Sequence, residues 1–274
     1  MTQIVGFAGK KQSGKNTACN FILAMKLAEL GVCVASRLSK SGEVEVRDVF
    51  GETNEELEWI PFKSPYVDVD ALFENELSNY IKIYGLADTL KDLCVDVLGL
   101  TYEQAYGTDK DKNSETSIDW EVIEQIHGQK PSGRSTKMTA REVLQHVGTD
   151  IFRKIDPDVW IKSLLRKIEK DSPEVALVCD VRFENEVRAL QDNGGFVIGL
   201  TRDPYKKSDK HSSELEIEQC LKVCDFVLDN KDITISQQNE KIYYAVEKLE
   251  NVVTSLVDQS LVVPEGPVEE SAKA

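Results

Sequence analysis

Gly9, Gly14 and Lys15 stand in the spacing G-x-x-x-x-G-K, within the run Gly9-Lys-Lys-Gln-Ser-Gly-Lys15. An apolar run, Gln3-Ile-Val-Gly-Phe-Ala8, precedes it, and a stretch with helical spacing follows. That context is what a phosphate-binding loop requires. The glycines let backbone N–H groups curl around phosphate oxygens, and the helix start adds its positive end. Lys15 is then placed to reach the β- and γ-phosphates and to neutralise charge as the terminal phosphoryl group leaves. Gly9, Lys11, Ser13, Gly14, Lys15, Asn16 and Thr17 are the candidate ATP-binding residues of this segment. Asn16 stands where most such loops carry the Ser or Thr that ligates Mg²⁺. The metal is therefore either touched by the Asn16 amide oxygen or held mostly by ATP and by the waters Mg²⁺ retains readily.

A phosphate loop does not name the group that receives the phosphoryl. The base-reading pattern of a GTPase, Asn-Lys-x-Asp, fails at Asn230-Lys-Asp-Ile233. Transfer between two polyanions needs cations between them. Arg141 lies in the capping-box run Thr139-Ala-Arg-Glu142, where a helix start would also favour a phosphate. Arg153 follows on the same predicted helix, about 120° round it, so a cleft or a bend at Gly148 has to bring both inward. Asp180 ends an apolar strand-like run, the usual place for a carboxylate that orients the Mg²⁺ water shell or the acceptor. Arg182 either clamps a phosphate or pairs with Asp180. Asn185 and Glu186 either recognise sugar or base, or cap the next helix. Arg202 opens a cation-rich run, Arg202-Asp-Pro-Tyr-Lys-Lys-Ser-Asp-Lys-His211, in an acidic protein. It reads as a lid that excludes water, with Arg202 and one of Lys206, Lys207 or Lys210 stabilising charge. His211 reads as a lid or capping residue rather than a general base.

Leu86-Ala-Asp-Thr-Leu-Lys91, Met138-Thr-Ala-Arg-Glu-Val-Leu-Gln-His-Val-Gly-Thr-Asp-Ile-Phe-Arg153 and Asp180-Val-Arg-Phe-Glu-Asn-Glu186 stand together with the loop. In combination they resemble the bacteriophage deoxynucleoside monophosphate kinases, a branch of the P-loop nucleoside monophosphate kinases. The likeness takes in His211-Ser-Ser-Glu214 and the strand ending at Asn230, and covers roughly residues 3–35 and 84–250. It implies ATP-dependent, in-line phosphorylation of deoxynucleoside 5′-monophosphates to diphosphates, with ATP and Mg²⁺ as cofactors. It implies catalytic roles for Lys15, Arg141, Asp180, Arg182 and Arg202, and metal contacts from Asn16 and Asp180. Acceptor contacts are implied for Lys91, Arg141, Gln145, Thr149, Asp150, Arg153, Asp180, Arg182, Phe183, Asn185 and Glu186. Asn230 falls at the adenine pocket, with a simple turn residue as the alternative. The rival readings are a kinase for another small acceptor, such as dephospho-coenzyme A, and a nucleotide-binding ATPase or sensor module.

The elements that must hold these residues alternate between strand and helix, which predicts an α/β fold of the P-loop NTPase type, three-layer α/β/α with a mainly parallel sheet. Val175 to Cys179 and Phe196 to Thr201 are continuous apolar runs, the mark of strands buried on both faces. Helices are expected from the phosphate loop to about Leu30, over about 70–98, over 102–107, from Thr139 through Ile155, from Asp156-Pro157, around 186–191, and from about Ser236. On the 139–155 helix Val143, Val147, Ile151 and Ile155 are expected to share one side. Val32 to Ala35 and Asp225 to Leu228 read as further strands, and Thr108 to Ser117 as a mobile loop. The organisation expected is one kinase domain over 1–260, with an inserted hairpin or excursion at 37–70, a helical acceptor region at about 84–160 and a lid at about 202–214. A disordered tail is expected over 261–274.

The 274 residues carry 48 acidic and 33 basic side chains, a formal charge of −15. Such a surface repels nucleic acid, so small-molecule nucleotides are the expected partners, met by local clusters of Lys and Arg. No apolar run approaches a membrane span. A homodimer is left open. The six cysteines form no CxxC pair, and with three scattered histidines they do not suggest a zinc site. The expected location is the cytoplasm, or the host cytoplasm if the chain is phage-encoded.

Overall fold

A computed structural model describes residues 2–49, 59–62, 77–121, 123, 137–204, 216–247 and 249. The chain divides into two compact units, Met1–Tyr84 with Lys167–Ala274, and Gly85–Arg166. The expected disordered tail, half of the 37–70 excursion, and the lid cations Lys206, Lys207 and Lys210 with His211 lie outside the described residues. Among the described residues no helix is long and apolar enough to cross a membrane.

The first unit is built on five parallel strands in the order β10-β9-β1-β8-β5. They are β1 (Gln3–Gly9), β5 (Ile81–Tyr84), β8 (Val175–Val181), β9 (Phe196–Leu200) and β10 (Phe226–Leu228). Central strands covered on both faces need apolar side chains at every position. Val5, Phe7, Val175, Leu177, Val197 and Ile198 meet that need and are fully buried. Helix α1 (Lys15–Glu29) adds Ala18, Ile22, Leu23 and Leu27 to the same core, each long side chain contributing about 1.5–3 kcal/mol. Gly31, at φ 68°, follows α1 in the left-handed conformation that ends helices.

The register sets the site. Gly9 pairs with Leu200, Leu200 with Leu228, and Ala8 with Val181. Parallel strands release their chains at one edge, so the residues after β1, β8, β9 and β10 gather there.

Four expectations need correction. Residues 81–84, read as helix, form the edge strand β5 beside β8. Ile-Lys-Ile-Tyr is too short for its period to choose between helix and strand, and pairing with Val175–Val178 decides. The helix resumes only at α2 (Asp88–Asp96). Cys33–Leu38 (β2) does not join the parallel sheet. It pairs antiparallel with β3 (Val44–Val49), which pairs with β4 (Ile60–Pro61), and Cys33, Leu38, Val44 and Val46 pack into the core with α1. The inserted hairpin therefore starts at Cys33.

The other two corrections lie in the second unit. The stretch 108–117 is not a loop. Thr108 and Asp111 cap a short helix α4 (Asp109–Lys112), which follows α3 (Tyr102–Tyr106), and β6 (Glu115–Asp119) then pairs with β7 (Lys137–Thr139). The 139–155 segment is not one α-helix. It opens as α5 (Ala140–Gln145) and passes into a π-helical run, His146–Phe152. The wider turn rotates the expected stripe, so Val143 and Val147 are buried while Ile151 and Ile155 are exposed. The α-helical angle between Arg141 and Arg153 does not apply across such a run. Gly148 sits inside it because a Cβ there would come within 2.6 Å of Leu90, and its carbonyl accepts the Trp160 indole N–H at 3.1 Å. The following helix α6 (Val159–Asp171) starts two residues after Pro157. This unit has its own core of Leu90, Cys94, Leu100, Met138, Val143 and Trp160.

Candidate functional site

The phosphate loop joins the carboxyl end of β1 to α1. Gly9 (φ 154°), Gln12 (φ 57°) and Gly14 (φ 101°) take positive φ, which bends the backbone sharply. A Cβ on Gly9 would lie 2.5 Å from Ser13 Oγ and 2.8 Å from the Leu200 carbonyl, so only glycine fits between loop and β9. Ser13 is buried and Lys11 half-buried. Lys15 is 6% exposed, and its ammonium donates to the carbonyls of Gly9 and Lys10, each at 2.6 Å. Asn16 is exposed. Thr17 lies against the β2–β3 turn, where a Cβ on Gly42 would collide with its hydroxyl.

Asp180, half-buried, is the penultimate residue of β8, and Arg182 comes just after it. The buried thiol of Cys19 reports on this corner. Burial pushes it up, Cys179 and the Asp180 carboxylate push it further, and Lys15 pulls it down. One thiol thus feels both Asp180 and Lys15. Glu186 is 2% exposed and accepts the backbone N–H groups of Arg182 at 2.9 Å and Phe183 at 3.1 Å. These bonds cap the start of α7 (Glu184–Asp192), where a carboxylate also suits the helix end. Phe183 and Asn185 flank it, half-buried.

Arg202 directs its guanidinium at the carbonyls of Asn230 (2.9 Å) and Ile233 (2.8 Å), so here it clamps the segment after β10. Asn230 is fully buried. Its amide donates to the Ser13 carbonyl and to Gln238 Oε1, both at 2.7 Å, and accepts the Arg202 N–H at 2.8 Å. Two residues that the sequence did not single out as site residues, Asp203 and Gln238, meet the loop. Lys10 pairs with Asp203 at 2.7 Å, and Gln238 on α9 (Ile235–Val246), the helix that follows α8 (Ile217–Lys222), reaches Gly14. Gln238 carries no local signal, because its contact is with a residue 224 positions away.

The second unit carries the remaining candidates. Arg141 donates to Asp109 at 2.8 Å and Asn113 at 2.9 Å, from an α5 start capped by Thr139 and Glu142. Lys91 pairs with Asp88 at 3.1 Å and lies 4.7 Å over the Tyr106 ring. Burial, with Asp92 as hydrogen-bond partner, pushes the Tyr106 hydroxyl far above its usual range. Gln145 and Asp150 are exposed and Thr149 is half-buried. Asp150 meets His146 at 3.1 Å, and Arg153 donates weakly to the Pro157 carbonyl at 3.4 Å.

Among the described residues no group of three or more His, Cys, Asp or Glu could hold a metal. Asn16 and Asp180 offer oxygen donors at the loop edge. Two oxygens of this kind fit Mg²⁺ that a nucleotide brings with most of its ligands.

The family described as "Deoxynucleotide monophosphate kinase" matches residues 3–242. A "Putative deoxynucleotide monophosphate kinase" of Acanthamoeba polyphaga mimivirus is 30% identical over 179 residues, 60% of this chain and 81% of that protein. The "Deoxynucleoside-5'-monophosphate kinase" of Escherichia phage T5 is 34% identical over 92 residues, 30% of this chain and 37% of that protein. Among solved structures, a dephospho-CoA kinase from Campylobacter jejuni aligns over 91% of this chain and 98% of its own, at TM-score 0.36 and 15% identity. The chain belongs to the deoxynucleotide monophosphate kinase family and is a phosphotransferase, a nucleotide kinase.

Proposed function

We propose that this protein transfers the γ-phosphoryl group of ATP in line to a deoxynucleoside 5′-monophosphate. An oxygen of the acceptor's 5′-phosphate attacks the γ-phosphorus, the bond from that phosphorus to the bridging oxygen breaks, and ADP leaves with the electron pair. The observation that carries the reading is Lys15, buried in a strained glycine loop at the carboxyl end of β1, with Asp180 at the end of neighbouring β8.

The loop N–H groups, with Lys11, Ser13, Asn16 and Thr17, hold the triphosphate. Lys15 exchanges its two carbonyl partners for phosphate oxygens and follows the charge as it moves to the leaving group. Mg²⁺ would be held by Asn16 and Asp180 and would neutralise phosphate charge. Arg182 serves the transferred phosphoryl. Arg141, Arg153 and Lys91 hold the acceptor phosphate, while Gln145, Thr149, Asp150 and Asn185 recognise sugar and base. Arg202 acts through Asn230 by shaping the nucleotide pocket. An ADP-release assay over four dNMPs, four NMPs and dephospho-coenzyme A tests the reading. Release driven by a dNMP is expected, whereas release that no dNMP increases would overturn it.

A further inference from the structure

Gly14 is pressed from behind by two buried side-chain amides. A Cβ on it would lie 3.0 Å from Gln238 Oε1, 3.3 Å from Gln238 Nε2 and 3.5 Å from Asn230 Nδ2. Asn230 is 0% and Gln238 2% exposed. Both amide hydrogens of Asn230 are donated, to Ser13 O and Gln238 Oε1 at 2.7 Å each. Its oxygen takes the Arg202 N–H at 2.8 Å. A side-chain amide has two donor hydrogens and one oxygen, so Asn230 has no hydrogen left to offer a purine edge. Gln238 Nε2 points at the Gly14 carbonyl at 3.5 Å, and that carbonyl also accepts the Ala18 N–H at 3.0 Å.

The orientation of these carbonyls matters because a trans peptide is planar, with C=O and N–H on opposite sides. The described chain has no cis bond. Fixing the Ser13 carbonyl toward Asn230 therefore turns the Gly14 N–H to the opposite side. The Gly14 carbonyl, held by the Ala18 N–H at 3.0 Å with Gln238 beside it at 3.5 Å, does the same for the Lys15 N–H. These are two of the donors a phosphate loop needs pointing at its anion. At φ 101° Gly14 has no intrinsic reason to hold that orientation, since glycine samples both signs of φ freely.

We propose that Asn230 and Gln238 are positioning residues for ATP, which set the peptide planes of Ser13–Gly14 and Gly14–Lys15 so that their N–H groups face the triphosphate. The proposal rests on the reading of Gly9–Lys15 as the ATP loop. It assigns α9 a part in nucleotide binding, and it makes Asn230 a brace behind the phosphates rather than a reader of adenine.

The test uses the full-length chain, Gln238→Leu and Asn230→Ala. Mg-ATP binding is measured by calorimetry without acceptor. KM is measured for ATP and for whichever dNMP the unaltered protein turns over fastest. Losing the two hydrogen bonds of Gln238 should weaken Mg-ATP binding about threefold to tenfold in Gln238→Leu, and losing the three of Asn230 about tenfold or more in Asn230→Ala. The acceptor KM should stay within twofold. Asn230→Ala strips partners from Ser13 and Arg202 and risks misfolding, so Gln238→Leu, close in volume, decides alone. Mg-ATP affinity within twofold of the unaltered protein in Gln238→Leu, or equal weakening of ATP and acceptor, overturns the proposal. If the unaltered protein binds no Mg-ATP, the reading of the loop itself falls and the proposal with it.

Discussion

The ammonium of Lys10 meets the Asp203 carboxylate at 2.7 Å, tying the phosphate loop to the residues that leave β9. Both side chains are about one third exposed, 31% and 32%, so the pair contributes only about 0–1 kcal/mol to stability. Its consequence is electrostatic. Asp203 holds a negative charge beside a loop that must receive a triphosphate. Asp203→Asn should lower the KM for ATP about twofold to fivefold at low salt, and the gain should shrink as salt screens it. Melting temperature should move little. An unchanged KM at low ionic strength contradicts this view of the pair.

Gly42 should be irreplaceable for a reason Gly31 does not share. Both take positive φ, 82° and 68°, so alanine at either costs about 1–2 kcal/mol from the backbone alone. A Cβ on Gly42 would in addition collide with the Thr17 hydroxyl, and its carbonyl accepts from Asn20 at 2.8 Å, whereas nothing lies within 4 Å at Gly31. Thermal unfolding should show Gly42→Ala less stable than Gly31→Ala, with a raised ATP KM in the former only. Equal losses would remove the β2–β3 turn from the site.

Arg141 is 36% exposed and its partner Asp109 58%, so removing the pair should leave folding nearly untouched. If Arg141 holds the acceptor phosphate, Arg141→Ala should raise the dNMP KM about tenfold or more and leave Mg-ATP binding within twofold. A matched weakening of both substrates, measured by calorimetry and steady-state kinetics, would place Arg141 elsewhere.

Asp171 gives the fold an acid-sensitive contact. Burial pushes its carboxyl up, but Lys82 at 2.7 Å and Tyr84 at 3.0 Å outweigh it and hold the carboxyl below its ordinary value of 3.8. A lowered folded-state pKa means stabilisation that is fully present above the ordinary value and is lost as pH falls through the lowered one. Asp171→Asn should therefore be less stable than the unaltered chain at pH 7, with the difference narrowing below pH 3.8. Denaturant titrations at pH 7 and at acid pH check this, and a gap that widens on acidification contradicts it.

What the sequence disclosed followed the range of each interaction. Gly9, Gly14 and Lys15 were legible because glycine spacing, strand and helix start are adjacent in the chain. The buried runs at Val175 and Phe196 were legible because strands covered on both faces must be apolar throughout. Ile81–Tyr84 was misread because four residues hold no unique period, and only β8 chooses strand. The π-helical run escaped because the pattern from Thr139 to Ile155 fits an α-helix, while Gly148, Leu90 and Trp160 reshape it from outside. The bond from Asn230 to Ser13 spans 217 positions, and nothing near either residue announces it.

The central claim is transfer rather than hydrolysis. The most direct measurement incubates the protein with Mg²⁺, ATP labelled at the γ-phosphate and a single dNMP, then separates the nucleotides chromatographically. The account predicts label in the deoxynucleoside diphosphate, stoichiometric with ADP, and its loss in Lys15→Met. Label that appears only as inorganic phosphate, at a rate the dNMP does not change, would contradict it.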